Sequence, residues 1–331
     1  MPEAVARASA NVALVKYWGK RDEVRNLPAV GSISITLADL LASARVRVAN
    51  DSSARFTSRG HVVTGSAAER MAAYLDWIAE ALGSEERLTT DVDANFPVGA
   101  GLASSAAIHC AVAAASASAL AASVDLPRLS RLARVGSGSA ARSVYGGWVE
   151  WHHGKRTDGE DSGATQLLEQ KEWPVAMVVA VVNEGPKEIP SRDAMRHVAR
   201  SSPLYPAWIE AQGADLAAMR TAIAARDFTA VGTIAEENCL RMHAITFAAR
   251  PPVVYWSPVT MAAMEAVCAL RKSGCEAYFT IDAGPQVKVL CAPGDVETVA
   301  EAMGQVPGVI RVLRSALGGG VEVLEGPTPW K

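Results

Sequence analysis

No CxxC pair, no long run of strongly apolar residues and no excess of basic charge occur in this sequence. The five cysteines, Cys110, Cys239, Cys268, Cys275 and Cys291, are odd in number and lack metal-ligand spacing, which argues against both a disulfide framework and a zinc site. A formal net charge of −3 over 331 residues gives no electrostatic footprint for nucleic acid. Ala94 to Val124 carries no formal charge beyond what His109 can take up, yet it is built from Ala, Ser and Gly with Pro97 inside, too weakly hydrophobic for a membrane span. The opening MPEAVARASANVA has neither the basic start nor the apolar run of a signal peptide, so with the cysteine usage a reducing cytoplasm is the expected location.

Half of the residues are apolar and 20% are charged, the balance of a globular enzyme or binding protein. At this length one large domain or two ordinary ones are expected, and we read two lobes around a cleft. No solenoid-period repeat or low-complexity linker interrupts the chain. Residues 31–38 and 44–49 pattern as strands. Ser66 and Glu69 stand in capping-box spacing ahead of the apolar stripe Met71, Tyr74, Leu75, Ile78 and Leu82, which Gly83 closes. That predicts an amphipathic helix with Arg70 in its first turn. An alanine-rich helix to about 122 follows a glycine-rich bend, and 175–182 reads as a fully buried strand. Helices over 203–225 and 227–242 precede a helix (258–273), two strands (276–282, 286–291), a helix (295–304) and a strand (309–315), an order that suits a small sandwich of the split βαβ kind.

Four stretches carry candidate chemistry. In PVGAGLASSAA, glycines free backbone amides to turn inward at a helix N-terminus, which suits phosphate, and Ser104 and Ser105 add hydroxyls. It lacks the Lys-Ser/Thr ending of a Walker A loop, and an ordinary tight turn before a core helix would look similar. GSGSAARS at 136–143 gathers Ser137, Ser139 and the fork of Arg142, fit for a carboxylate or phosphate, or for a plain solvated loop. TIDAGPQVKVL runs a strand into Asp282 beside a glycine, where the carboxylate either faces a cleft or only shapes a turn. NVALVKYWGK crowds Lys16 and Lys20 around Tyr17 and Trp18, as phosphate ligands or as lysines snorkelling past buried aromatics.

ASANVALVKYWGKRD with LPAVGSISITL, NFPVGAGLASSAA, GSGSAARSVYGGWVEW and AYFTIDAGP, in that order, resemble the diphosphomevalonate decarboxylases of the GHMP kinase superfamily. The likeness runs from residue 8 to about 291, and KYWGK with GSGSAxRS is more specific than the superfamily loop PxxxGLxSSA. It implies an α+β GHMP kinase fold: a βαβ-containing N-terminal lobe at 1–182 with its phosphate loop at 97–105, and a ferredoxin-like C-terminal lobe at 183–331 that carries Asp282. It also implies ATP-dependent conversion of mevalonate 5-diphosphate to isopentenyl diphosphate with loss of CO2 and phosphate, Mg2+ as cofactor, and a homodimer.

By the same resemblance Asp282 takes or orients the proton of the substrate 3-hydroxyl, Arg142 holds the substrate carboxylate, Lys16 neutralises the transferring phosphoryl group, and Ser105 touches ATP phosphate or Mg2+. Tyr17, Trp18, Lys20, Arg70, Ser137, Ser139, Ser191 and Met195 fall on positions that line the substrate, with Lys20 and Arg70 supplying charge for the diphosphate. Gly99, Ala100, Gly101, Ala103, Ser104 and Ser105 fall on the nucleotide loop. Magnesium is expected on phosphate oxygens and water, so no side chain is assigned to it. Val30, Ala141, Gln286, Arg192 and Ala194 depart from the family pattern, none of them at Lys16, Arg142 or Asp282. Neighbouring activities are decarboxylation of mevalonate 5-phosphate and a 3-kinase reaction without decarboxylation; outside enzymology, a nucleotide-binding regulator that kept the fold is the competing class.

Overall fold

The computed structural model describes residues 2–49, 54–97, 101, 104–185 and 187–324. The chain opens with β1 (Glu3–Val15), a small hairpin of β2 (Lys20–Asp22) and β3 (Leu27–Pro28), and the long β4 (Ser32–Val48). Then come β5 (Phe56–Ser58), β6 (His61–Val62), α1 (Ser66–Ala81), β7 (Leu88–Ala94), α2 (Ser104–Ala119), α3 (Leu126–Gly136) and a 3-10 segment (Gly138–Val144). After β8 (Trp148–Trp151), β9 (Ala164–Leu168) and β10 (Ala176–Val181), four helices follow: α4 (Ser191–Ser201), α5 (Tyr205–Ala225), α6 (Phe228–Phe247) and α7 (Pro258–Lys272). The remainder is β11 (Ala277–Thr280), β12 (Val287–Cys291), α8 (Val296–Gly304), β13 (Arg311–Ala316) and β14 (Glu322–Leu324).

Two sheets organise these elements. The larger runs β14-β1-β4-β7-β5-β6, with β8 added on β4 and β9 on β8. Its axis is β4, which pairs through Ser32–Ile35 with β8 and through Ala42–Val48 with β7, while β1 follows its other edge. The ladder shifts register twice: between Ser9 and Asn11 the extra residues lie on β4, over Leu37–Leu40, and between Ala13 and Val15 the extra residue lies on β1 and bends it at the end that reaches the cleft. The two strands expected at 31–38 and 44–49 are therefore one: the bulge in β4 shifts its apolar set from Ile33, Ile35 and Leu37 to Leu40, Ala42 and Ala44 without ending the strand. Packed on this sheet is α2, buried on nearly every face; a helix so enclosed needs side chains as small as its alanines. Among the described residues no helix is long and apolar enough to cross a membrane.

The second sheet is antiparallel in the order β11-β12-β10-β13. Alternate residues of β10 serve two cores: Ala176, Val178 and Ala180 meet α7 and α8, whereas Met177, Val179 and Val181 join the main core with Leu216 and Val231 of α5 and α6. Burial on both faces explains its unbroken apolar run. β10 precedes residue 183 yet pairs within this second sheet, and β14, from the chain's end, pairs with β1. The expected capping box at α1 does not form: Gly65, with φ of 71°, occupies the N-cap position and its carbonyl accepts from Glu69, which leaves Ser66 inside the helix. Gly83, at φ of 77°, supports the left-handed turn that ends α1, as its sequence position suggested.

Candidate active site

The bent end of β1 projects Asn11, Lys16, Tyr17 and Trp18 toward one cavity of about 260 Å³. Lys20 arrives from the hairpin, Ser137, Ser139 and Arg142 from the α3 end and the 3-10 segment, Ser191, Arg192 and Met195 from the start of α4, and Asp282 from the turn after β11. Gly101, Ser104 and Ser105 line the same cavity where the chain enters α2. Segments as far apart in sequence as 11 and 282 thus meet in one cleft.

Asp282 is its electrostatic centre. Lys16 Nζ donates to Asp282 Oδ1 at 2.7 Å and to the carbonyl of Ala13 at 2.8 Å. Lys288 Nζ stands 3.2 Å from Asp282 Oδ2. Burial by itself would raise the Asp282 pKa, but the charges and hydrogen bonds of these two ammonium groups outweigh it and hold the carboxyl well below the usual carboxylate range. Lys16 is held from behind as well: its backbone N–H donates to Asn238 Oδ1 at 2.7 Å, Asn238 Nδ2 donates to Asp215 Oδ2, and Arg241 closes the chain on Asp215.

Arg142 is buried, and three of its donors are taken: Nε and Nη2 bond Asn11 Oδ1 at 3.1 and 2.9 Å, and Nη1 bonds Ser32 Oγ. The Trp151 ring lies 6.0 Å from its guanidinium carbon. Burial brings its pKa down to about 10, so it stays charged at neutral pH. With one edge fixed by neutral acceptors, the remaining N–H groups of the planar guanidinium present a set orientation toward an anion. Arg142 and Asp282 share the cavity without a direct ion pair.

On the other side, Lys20 bonds Asn26 Oδ1, and burial together with the nearby Arg192 pulls its pKa down to about 8. Lys187, which donates to Ser191 Oγ at 2.8 Å, is also brought to about 8, by burial and by Lys288. Ser105 Oγ donates to Ser137 Oγ at 3.1 Å, and Ser137 and Ser139 hydroxyls lie 3.4 Å apart, a ladder from the start of α2 toward Arg142. Tyr17 Oη and Trp18 Nε1 are buried without a hydrogen-bond partner among the described residues, as expected of groups that face a polar ligand.

Most of the expected residues therefore meet. Arg70 does not line the cavity: it is exposed on α1, and its charge is felt at His109, whose imidazole burial holds down to about 4. Gly99, Ala100 and Ala103 lie outside the described residues. Of the departures from pattern, Arg192 lines the cavity and adds a cation. Gln286 is buried and its Oε1 accepts from the Val182 N–H at 2.7 Å, bracing the end of β10. Val30, Ala141 and Ala194 are buried packing positions. Asn11, Lys187 and Lys288 were not singled out from sequence; the detectable signals are Lys288, inside the otherwise apolar strand VKVLC, and Asn11, ahead of the apolar run Val12–Val15.

Two sheets that meet at a cleft, a glycine-rich sequence ahead of a buried helix, and a lysine-flanked carboxylate in the same cavity define a protein of the GHMP kinase type. The sequence pattern of the diphosphomevalonate decarboxylase-like N-terminal domain matches residues 8–164, and that of the mevalonate 5-diphosphate decarboxylase C-terminal domain matches residues 177–314. This chain belongs to the diphosphomevalonate decarboxylase family. It is 31% identical over 327 residues to the diphosphomevalonate decarboxylase of Candida albicans, covering 93% of this chain and 90% of that one. The crystal structure of mevalonate diphosphate decarboxylase from Staphylococcus aureus superposes with a TM-score of 0.92 at 35% identity over 98% of both chains. A structure of MDDEF in complex with MVAPP, AMPPCP and magnesium gives 0.91 at 34% identity, over 98% of this chain and 99% of that one.

Proposed function

We propose that this chain binds mevalonate 5-diphosphate and ATP in the cavity around Asp282 and converts them to isopentenyl diphosphate, CO2, ADP and phosphate. The observation that carries the assignment of roles is the Asp282 carboxylate, held ionised at 2.7 Å from Lys16 in a cavity that also contains Arg142. A tertiary hydroxyl is a poor leaving group, so it is first phosphorylated; phosphate then departs as the neighbouring carboxylate is lost as CO2. Asp282 accepts the hydrogen bond of the 3-hydroxyl and aims its oxygen at the phosphoryl group. Because its basicity is depressed, aiming outweighs proton affinity, which suits a loose transfer.

Lys16 stabilises charge on the transferring group, and Arg142 holds the substrate carboxylate beside it. Lys20, Arg192 and Lys187 take the diphosphate, with Tyr17 and Ser191 as hydroxyl partners; Trp18 and Met195 exclude water from the mevalonyl portion. Ser104 and Ser105, at the start of α2, offer hydroxyls to the nucleotide phosphates. The hydroxyls of Ser104 and Ser105, which line the cavity, are hard oxygen donors that fit magnesium carried mainly by nucleotide phosphate and water. Mg2+, when bound, neutralises charge on the nucleotide phosphates. A second cavity, of about 510 Å³, is lined by Ser58, Asn95, Phe96, Pro97, Glu184 and Arg311, and its place beside Pro97, ahead of α2, supports putting the base and ribose there. We place two lobes around this cleft, with the chain in the cytoplasm as a homodimer.

Product analysis tests the reading. Purified protein with ATP and Mg2+ should yield isopentenyl diphosphate and CO2 from mevalonate 5-diphosphate; isopentenyl phosphate from mevalonate 5-phosphate, or a stable 3-phosphate without CO2, would assign a neighbouring activity. A pH profile tests the diphosphate cations. Lys20 and Lys187 sit near 8 in the free protein, well below an ordinary lysine, so their charge is lost as pH rises through that value. kcat/KM, which reports free enzyme, should fall above about pH 8, whereas kcat should hold to higher pH because bound diphosphate raises both pKa values. Parallel profiles for kcat and kcat/KM would remove these lysines from the diphosphate site.

A further inference from the structure

Lys288 lies in the middle of β12, between Val287 and Val289, and is 1% exposed. An ammonium group in such surroundings is costly unless each of its contacts is polar. Among the described residues it has two: Asp282 Oδ2 at 3.2 Å and the carbonyl of Gly101, to which it donates at 3.1 Å. Lys16 has the matching arrangement on the other carboxylate oxygen, with one main-chain carbonyl from Ala13. Asp282 is thus clamped at both oxygens, which fixes its rotation and leaves only the outward lone pairs for a substrate hydroxyl. The two ammonium groups differ in where they lead. Lys16 belongs to the bent strand beneath the substrate; Lys288 reaches the chain where it enters α2.

The backbones there are already pressed together. At Gly101, with φ of +88°, a Cβ would lie 3.2 Å from Gly284 Cα and 3.3 Å from the Ala283 carbonyl oxygen, so any larger residue there would be strained in its own backbone and would push on the segment that carries Asp282. Lys288 joins the same two segments by polar contacts. We propose that Lys288 is a positioning residue for the reaction: it fixes Asp282 and ties that carboxylate to the glycine-rich turn, so that nucleotide phosphate bound at the turn is coupled to the geometry of the reacting group. The inference rests on the reading of Asp282 as the group that meets the 3-hydroxyl, and extends it to a residue whose ammonium group is enclosed behind that carboxylate.

The charged and titratable groups that act on Asp282 or share its cavity come from every neighbouring element: Lys16 and Tyr17 from the end of β1, Lys20 from the hairpin, Lys288 from β12, Lys187 from the segment before α4, Arg192 from α4, Arg142 from the 3-10 segment, and Cys239 and His243 from α6. His243, brought by burial to about 3, is neutral at working pH, and burial raises the Cys239 thiol, so neither replaces a missing cation. Burial also lowers the Lys288 pKa against the pull of Asp282. Loss of Lys288 leaves one cation directly on a carboxylate whose burial favours the protonated form, and its proton affinity rises.

The test uses Lys288→Met, which removes charge and contact, and Lys288→Gln, which keeps a donor for the Gly101 carbonyl without the charge. In both variants kcat should fall, by about thirtyfold in Lys288→Met, and the ratio of variant to wild-type kcat should drop further as pH is lowered from about 8 to about 5, a ratio that cancels titration of the substrate. KM for ATP should rise by about tenfold in Lys288→Met and less in Lys288→Gln, while KM for mevalonate 5-diphosphate moves by less than about threefold. A pH-independent ratio in folded protein would reduce Lys288 to a packing residue and overturn the proposal; should Lys288→Met not fold, Lys288→Gln decides it alone. Asp282→Asn, run alongside, separates the two levels: retained turnover there would remove the reading of Asp282 itself, whereas an inactive Asp282→Asn beside Lys288 variants with wild-type pH behaviour would remove only the role of Lys288.

Discussion

Asp282→Asn is expected to lower kcat for decarboxylation by about 10³-fold, with KM for mevalonate 5-diphosphate within about threefold of the wild type. Asparagine keeps the shape and one oxygen but cannot accept the 3-hydroxyl hydrogen bond as an anion, so both ADP and CO2 formation should fall together. The same substitution has a consequence for stability. Lys16 and Lys288 are each 1% exposed and share this one carboxylate. Its removal leaves two buried ammonium groups without their anion, and breaking a buried pair of this kind costs about 3 kcal/mol. Thermal unfolding should therefore occur earlier in the variant, and mevalonate 5-diphosphate with Mg2+ and ATP should recover part of the loss, since their phosphates supply negative charge to the same cavity. The pH dependence has a defined sign. Because the folded protein depresses the Asp282 pKa, its contribution is complete at neutral pH and drains away as pH falls below the ordinary carboxylate range, about 4. The stability gap between wild type and variant should close in acid; a gap that is constant from neutral pH into acid would mean that Asp282 is not held by these lysines.

Local signals in the sequence led to the parts of this site that are local in the fold. The glycine-rich bend before α2, the small-residue stretch around Arg142 and the aspartate after β11 each announce themselves within about ten residues, and the structure brings described members of all three to one cavity. What stayed hidden depends on contacts between distant segments. Lys288 reads as one polar residue in VKVLC until β11 and β12 pair and set it against Asp282. Asn11 acquires its meaning only where the 3-10 segment, 131 residues on, lays Arg142 over it. Lys187 stands in a loop with no pattern of its own. The place of Arg70 near the start of α1 followed from the helix pattern, while its role at the diphosphate came from resemblance to the family; in the structure it stands exposed on α1, outside the cavity lining. The fold shows the same division: α1, α2, α5, α6, α7 and α8 were legible in the sequence, whereas α3 and α4 were not singled out, nor was the continuity of β4, because its two halves pair with different strands and its apolar alternation changes phase between Leu37 and Leu40. The capping box at α1 had the right spacing, but Gly65 takes the N-cap with a backbone conformation that no local pattern specified.

Arg142→Lys should be the second most damaging substitution, with kcat/KM for mevalonate 5-diphosphate reduced by about 10²-fold to 10³-fold although the formal charge is conserved. Three donors of Arg142 satisfy Asn11 Oδ1 and Ser32 Oγ, and the rest of the guanidinium faces the cavity. An ammonium group at the end of a shorter stem must choose between Asn11 behind it and the substrate carboxylate ahead of it. In either choice one buried polar group loses its partner, and burial of this depth drives a lysine toward its neutral form, which removes the charge as well. The loss should fall on the mevalonyl substrate: KM for ATP is expected within about threefold of the wild type, because the nucleotide meets Ser104, Ser105 and the turn at Gly101 instead. Raising the pH should deepen the defect in Arg142→Lys, whereas the wild-type guanidinium, at about 10, stays charged through the working range. A variant whose defect lies in ATP binding, with normal kcat/KM for mevalonate 5-diphosphate, would move Arg142 to the nucleotide side and leave the substrate carboxylate to Lys187, from the segment before α4, or Arg192, from its first turn.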